Sequence, residues 1–73
     1  MQTKPAKLLD VIALLNDRPA LGILCGQVGT IVEVLAPEVF EVEFCDPDGR
    51  TIGFAELRRV DFLVLHHESA IAA

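Results

Sequence analysis

The chain has 73 residues, a hydrophobic content of 52% and a formal net charge of −5. A chain of this length forms one small domain that buries about 60% of its unfolded surface, and its hydrophobic content excludes a disordered protein. Residues 8–67 contain four bases and ten acids, a balance of 4 − 10 = −6. Because duplex-binding modules carry a basic stripe, this charge argues against nucleic acid as the partner.

Charge and hydropathy along the chain also bear on its compartment. Asp10 interrupts the apolar run from Leu8 to Leu15, no small-residue cleavage site follows it, and no segment approaches the ~20 residues of a membrane span. We therefore expect a cytoplasmic protein without membrane attachment. In that compartment Cys25 and Cys45 are predicted to be reduced apolar residues, with Cys45 partly exposed.

The domain is predicted to span residues 8–67, between an N-terminal tail of residues 1–7 and a C-terminal tail of residues 68–73. Its first element is Leu8 to Leu15, where a short helix competes with a strand. We favour the strand because eight residues bounded by turn formers are few for a helix. In the long connection that follows, residues 16–26, we expect Leu21, Ile23 and Leu24 to pack against the rest of the fold.

A three-stranded antiparallel meander is predicted next. The runs Val28 to Leu35 and Val39 to Cys45 are rich in the β-branched and aromatic residues that favour strands. Residues 36–38 contain a proline and predict the first turn. The string Asp46-Pro47-Asp48-Gly49 predicts a type I turn that ends in a left-handed glycine.

These turns fix a register, in which Leu35 faces Val39 and Asp46 faces Arg50. Alternation along the strands then places seven apolar side chains on one buried face: Val32, Val34, Phe40, Val42, Phe44, Ile52 and Phe54. The opposite face is mixed and acidic and carries Ile31, Glu33, Leu35, Val39, Glu41, Glu43, Cys45, Thr51, Gly53 and Ala55.

After the meander, Glu56 to Asp61 predicts a single turn of the 3₁₀ kind. The run Phe62 to His66 predicts a last strand that is apolar on both faces, which is typical of a strand that is covered on both sides or faces a partner. The sum is an all-β fold, a small five-stranded SH3-like barrel around a central three-stranded antiparallel meander. Its surplus of aliphatic residues favours a homo-oligomer or a protein partner.

No catalytic, cofactor or metal site is predicted. Gly26-Gln-Val-Gly29 opens a strand rather than a helix, so it does not fit a phosphate-binding loop and is explained by a tight barrel corner. It resembles the glycine-opened strand of KOW-type ribosomal modules, which would imply RNA contact. His66 and His67 point to opposite faces of a strand and lack companion zinc ligands. No nucleophile lies beside a base, so we expect a protein that is not an enzyme.

Acidic residues supply the candidate binding surface. In the predicted register Glu33 faces Glu41, and like charges in that arrangement cost a few tenths of a kcal/mol up to ~1 kcal/mol. A solvated face that keeps a small domain soluble is one interpretation, and a docking surface for a basic partner is the other. The candidate partner-binding residues are Glu33, Glu41, Glu43, Asp46 and Asp48.

Three strings carry a family resemblance: Leu9-Asp-Val-Ile-Ala-Leu14, Gly26-Gln-Val-Gly-Thr-Ile-Val-Glu33 and Val42-Glu-Phe-Cys-Asp46. They resemble a short bacterial family catalogued as domain of unknown function 4926, over residues 8 to about 66. The resemblance implies an SH3-like all-β fold, transfers no catalytic residue, and points to an antitoxin or immunity role.

The resulting hypothesis is a non-enzymatic protein-binding module that engages a protein through its acidic face, where it would dock a basic partner, or through the long loop of residues 16–26. Two alternatives stay open at this point. One is a KOW-like RNA or ribosome-associated module, and the other is a subunit or assembly factor of an enzyme complex.

Overall fold

The computed structural model describes residues 5–65 as one antiparallel sheet that curls into a barrel-like fold. Its five strands are β1 (Val11–Leu14), β2 (Val28–Ala36), β3 (Val39–Cys45), β4 (Thr51–Arg58) and β5 (Phe62–Val64), with 3₁₀ turns at Pro19–Leu21 and Arg59–Asp61. The strand order is β4-β3-β2-β1-β5. The all-β class, the five strands and the central meander β2-β3-β4 were predicted correctly.

The core is formed by apolar side chains from all five strands and one loop residue. The buried set is Ile12, Leu14, Ile23, Ile31, Phe40, Val42, Phe44, Ala55, Leu57, Phe62 and Val64. The rings of Phe40 on β3 and Phe62 on β5 meet edge to face, with centroids 5.6 Å apart. Since β3 and β5 are not neighbours in the sheet, this contact shows how far the sheet bends around its core.

Both predicted turns are present, and local chemistry explains each. Asp46 to Gly49 closes with a bond from the Gly49 amide to the Asp46 carbonyl at 2.9 Å, and Gly49 has the predicted positive φ of 86°. The first turn is tighter than predicted, because Ala36 pairs with Val39 and only Pro37 and Glu38 form the loop.

The predicted seven-residue inner face is wrong in four positions. Phe40, Val42 and Phe44 are buried as predicted. The four side chains that are instead 36% to 50% exposed are Val32, Val34, Ile52 and Phe54. Two residues expected on the opposite face, Ile31 and Ala55, are buried in their place.

Extra residues in the outer strands of the meander explain the exposure of Val32, Ile52 and Phe54, since one inserted residue moves the neighbouring side chains to the other face. Val34 pairs with Phe40 as predicted, so its exposure is not a register error. On β2, Ile31 pairs with Val42 and Glu33 with Glu41, so Val32 is the extra residue. A second shift between Val34 and Ala36 adds Leu35.

On β4 the register shift lies at the start of the strand, next to the β3–β4 turn. Phe44 pairs with Gly53 and Cys45 with Thr51, which leaves Ile52 as the extra residue. Ala55, rather than Phe54, therefore faces Val42.

The first strand and the long loop also differ from prediction. Residues 7–10 form a turn, with the Asp10 amide donating to the Lys7 carbonyl at 3.0 Å, so β1 begins only at Val11. In the loop, Ile23 is buried in the core as predicted and exchanges two backbone hydrogen bonds with Arg18, at 2.7 and 3.2 Å. Leu21 and Leu24 are exposed, which contradicts the prediction.

The end of the fold is shifted by a few residues. β4 continues through Arg58, so the predicted turn shrinks to Arg59–Asp61, and β5 ends at Val64. Predictions for His66, His67, residues 68–73 and the first four residues of the N-terminal tail lie outside the described residues. Within residues 5–65, no helix has the length and apolar character needed to cross a membrane.

Candidate functional site

Three glutamates form a row across the meander on the side of the sheet that faces away from the core. Glu41 on β3 pairs directly with Glu33 on β2 and with Glu56 on β4. Directly opposed side chains have Cβ atoms about 4.5–5.5 Å apart. We call Glu33, Glu41 and Glu56 the acidic row. Glu33 and Glu56 are exposed, and Glu41 is half-buried between them.

Within the described part of the chain, the ion pairs that are seen do not include a glutamate of the acidic row. The ion pairs found there join Lys7 to Asp10 at 3.2 Å, Arg18 to Asp61 at 3.2 Å, and Arg58 to Asp61 at 4.0 Å. Arg58 occupies the next outward position of β4 after Glu56, yet its guanidinium lies beside Asp61. Among residues 5–65, three glutamates therefore lie side by side on the sheet without an ion pair such as these, an arrangement that attracts a cationic group from outside.

Glu43 lies two residues from Glu41 on the same face, with Thr30 opposite on β2 and Phe54 opposite on β4. The hydroxyl of Thr51 donates a hydrogen bond to the Glu43 carboxylate. Phe54 is 50% exposed. The acidic surface therefore has a large aromatic side chain at its edge, where a partner would find both charge and apolar area.

Asp46 and Asp48 occupy the β3–β4 turn rather than the face of the sheet. The Asp46 carboxylate accepts hydrogen bonds from the amides of Asp48 and Arg50, both at 2.9 Å. The Asp46 carboxylate thus stabilises its own turn. The predicted contact between Arg50 and Asp46 is made by the backbone amide of Arg50. Of the five candidate residues, the sheet brings together Glu33, Glu41 and Glu43.

Glu56 was missed because of the extra residue in β4. In the predicted register Glu56 belonged to the turn after the meander, whereas the shift at Ile52 moves it opposite Glu41. A signal was present in the sequence, since Glu56 and Arg58 alternate with Ala55 and Leu57 as in a half-buried strand.

The glycines of the Gly26–Gly29 string have the predicted structural role. Gly26 has a φ of 89°. A Cβ atom on Gly29 would lie 2.7 Å from Val42 Cγ1 and 2.9 Å from the Glu43 carbonyl oxygen, so only glycine lets β2 approach β3 this closely.

Both cysteines are exposed and unpaired in the described structure. The Cys25 thiol donates to the Leu15 carbonyl at 3.1 Å, and the Cys25 amide donates to Asp17 Oδ1 at 2.7 Å. Cys45 lines a shallow depression of about 450 Å³ that also includes Glu43 and Thr30. Among residues 5–65 no group of three or more His, Cys, Asp or Glu side chains is placed to hold a metal ion.

The fold and this surface define a class: a small all-β, barrel-like domain with an acidic outer surface. The sequence model of one family, described as "Domain of unknown function (DUF4926)", matches residues 8–64. The chain belongs to this family, as the resemblance in its strand sequences predicted. Neither the curated proteins nor the solved structures contain a match to the chain.

Proposed function

We propose that this protein is a non-enzymatic cytoplasmic binding module that docks a basic protein partner through the acidic row and the adjacent Glu43. The observation that carries the proposal is the row itself, Glu33–Glu41–Glu56, in which like charges pair directly across three strands. Like charges held directly opposite one another destabilise the free domain. A cationic partner removes that repulsion when it binds, so relief of the repulsion contributes to the free energy of binding.

The chemistry of the surface suggests the kind of partner. Arginine suits it best, since a planar guanidinium donates hydrogen bonds to carboxylates through several N–H groups and also stacks on an aromatic ring. Phe54 lies directly opposite Glu43, so both kinds of contact are available within one strand pair. An antitoxin or immunity-like protein would use such a surface to neutralise a basic toxin, because charge complementarity speeds and selects association.

Capture of binding partners tests the proposal. Tagged wild-type protein and the double variant Glu41→Gln/Glu56→Gln are incubated with native cell extract, and bound proteins are eluted with a salt gradient and identified. We expect a basic protein that binds the wild type, elutes with rising salt because the contact is screened, and is lost from the variant.

A matched control variant distinguishes binding through the acidic row from a general effect of the net charge on binding. Glu38→Gln/Asp48→Asn removes the same two charges from the turns at the two ends of β3 and should keep the partner. Capture that survives in the acidic-row variant would refute the proposal. Recovery of nuclease-sensitive RNA with the wild type would instead favour the KOW-like alternative, and a co-purified enzyme would favour the role of a subunit.

A further inference from the structure

The strand β4 lies at one end of the sheet, and its outer edge is open in the described structure. Among residues 5–65, the strand order β4-β3-β2-β1-β5 gives β4 a single neighbouring strand, β3. An unpaired edge presents a row of backbone amides and carbonyls, and another extended chain can form hydrogen bonds with them. We call the outer side of residues 53–57 the open edge.

Backbone hydrogen bonds show which groups point out of the open edge. The Arg59 amide donates to the Glu38 carbonyl, across the β3–β4 pair, at 3.1 Å. In an antiparallel pair, residues that bond to the partner strand alternate with residues whose backbone groups face away, and Arg58 and Glu56 belong to the second set. The Arg58 amide confirms this assignment, since it donates to Asp61 Oδ2 at 2.7 Å. The amide and carbonyl of Glu56 therefore point outward.

A groove of about 540 Å³ lies along this edge. Four consecutive residues of β4, 55–58, line it, so the groove meets the strand along its backbone rather than along one of its faces. Arg18 and Leu21 of the long loop also line the groove. The loop lies on the core side of the sheet, because Ile23 within it is buried in the core. The groove thus leaves space between the strand and the loop.

Hydrogen bonding and charge together specify what fits this groove. Outward amides and carbonyls of a strand are paired by another extended backbone. On an added strand, the residue opposite Glu56 extends the line of Glu33 and Glu41 by one position. A basic side chain at that position gives a favourable cross-strand pair. The residues that alternate with it point to the core side, where the apolar side chain of Leu21 is 49% exposed.

We propose that the open edge binds an extended segment of the basic partner as a further strand, in which basic residues alternate with apolar ones. This inference rests on the proposed function, because it names how the partner meets the acidic row. A second copy of this chain fits the edge less well, since it carries the same charge balance of −6 over residues 8–67.

A synthetic peptide tests the open edge before the natural partner is known. The probe is a capped heptapeptide of alternating arginine and valine, titrated into the full chain and followed by two-dimensional NMR. Two further peptides carry N-methyl groups, one on every arginine amide and the other on every valine amide. In an added strand only alternate amides point to β4. One methylated peptide should therefore bind like the parent, and the other about tenfold or more weakly.

Variants of the chain locate the site of binding. Glu56→Gln should weaken binding of the parent peptide about threefold, because it removes the charge opposite the arginine. Glu56→Pro also removes the outward amide and should weaken binding about tenfold, since proline is compatible with an edge strand where the amide faces solvent. Circular dichroism checks that each variant is folded.

The long loop offers a matched pair of variants for the other wall of the groove. Leu21→Gln should weaken binding about threefold, because it replaces the apolar side chain that lines the groove. Leu24 is 58% exposed in the same loop but does not line the groove. Leu24→Gln should leave binding within about 1.5-fold.

Hydrogen exchange gives a direct measure of the added strand. The Glu56 amide should exchange at least about tenfold more slowly when the parent peptide is bound. Slowing that instead appears in the chain alone, as its concentration rises, would overturn the inference, because a second copy would then occupy the edge.

Two results of the titration would also overturn the inference. The first is a parent peptide that does not bind at about 2 mM. The second is equal binding of both methylated peptides. If that equal binding is lost in Glu41→Gln/Glu56→Gln, the acidic row is still a docking surface and only the added strand is refuted. The proposed function itself fails separately, when partner capture from cell extract survives in that variant.

Discussion

Glu41 on β3 lies directly opposite Glu56 on β4, and the same Glu41 side chain faces Glu33 on its other side. One carboxylate therefore has two like-charged neighbours. Removing its charge relieves both repulsions, whereas removing the charge of Glu33 or Glu56 relieves one. Glu41 is thus the residue at which the energetic cost of the acidic row is concentrated.

We expect Glu41→Gln to stabilise the domain by about 0.5–1.5 kcal/mol at low salt, since each opposed pair costs about 0.2–1 kcal/mol. Urea denaturation at about 20 mM and about 500 mM NaCl measures this, and the gain should shrink as salt screens the charges. Glu38→Gln removes the same charge from the β2–β3 turn and should change stability by less than about 0.5 kcal/mol. A loss of stability in Glu41→Gln would contradict the repulsion.

The sequence predicted turns well and the sheet register less well, for a physical reason. Pro47 and Gly49 restrict the backbone locally, so the turn they form is visible in a short string. An extra residue in a strand has no such local signature, because it is selected by how the whole sheet packs. Val32 and Ile52 look like ordinary strand residues, and each shifts the pairing of the residues that lie farther from the adjoining hairpin turn.

The same reasoning applies to the acidic site. The first turn is one residue shorter than predicted and Leu35 is an extra residue in β2. These two differences cancel, so the direct pairing of Glu33 with Glu41 was predicted correctly. Glu56 lies beyond the shift at Ile52 and was therefore placed in a turn. Phe54 was assigned to the core for the same reason, although its exposed ring borders the acidic surface.

Two glycines make a matched test of close strand approach. Gly29→Ala should destabilise the domain by about 1–3 kcal/mol, because the added methyl group meets the Glu43 carbonyl and the side chains of Val42 and Phe44 within 3 Å. Gly53→Ala, where a Cβ atom meets nothing within 4 Å, should be neutral or stabilising by about 0.5 kcal/mol. Thermal and urea melts of both variants decide the comparison, and equal effects would contradict the close approach at Gly29.

Glycine substitutions in the two hairpin turns test backbone strain, because they are expected to change the stability of the domain in opposite directions. Glu38 has a φ of 67°, and glycine adopts this conformation more readily. Glu38→Gly should therefore stabilise the domain by about 0.5–1 kcal/mol. Asp48 follows a proline in the other turn without a positive φ, so Asp48→Gly should destabilise it by about 0.4–1 kcal/mol. Each variant loses one negative charge, so effects of the same sign in denaturation experiments would contradict the strain at Glu38.

Asp61 joins the long loop to the turn after β4. Its carboxylate accepts the Arg58 amide at 2.7 Å and pairs with Arg18 at 3.2 Å, and its side chain is only 15% exposed. Asp61→Ala should cost about 1–3 kcal/mol, since it leaves the Arg58 amide without this acceptor. Asp48→Ala, in an exposed turn, should cost less than about 0.5 kcal/mol. Chemical denaturation measures both, and similar losses would show that Asp61 does not hold the two segments together.

One backbone hydrogen bond joins the first and last strands in a way that suits the domain to circular permutation. The Leu65 amide donates to the Val11 carbonyl at 2.9 Å, so the start of β1 and the residue after β5 are adjacent. A short linker between these two positions would close the polypeptide into a ring. The Asp46–Gly49 turn could then be opened to make new ends, giving a circular permutant with its strand order intact.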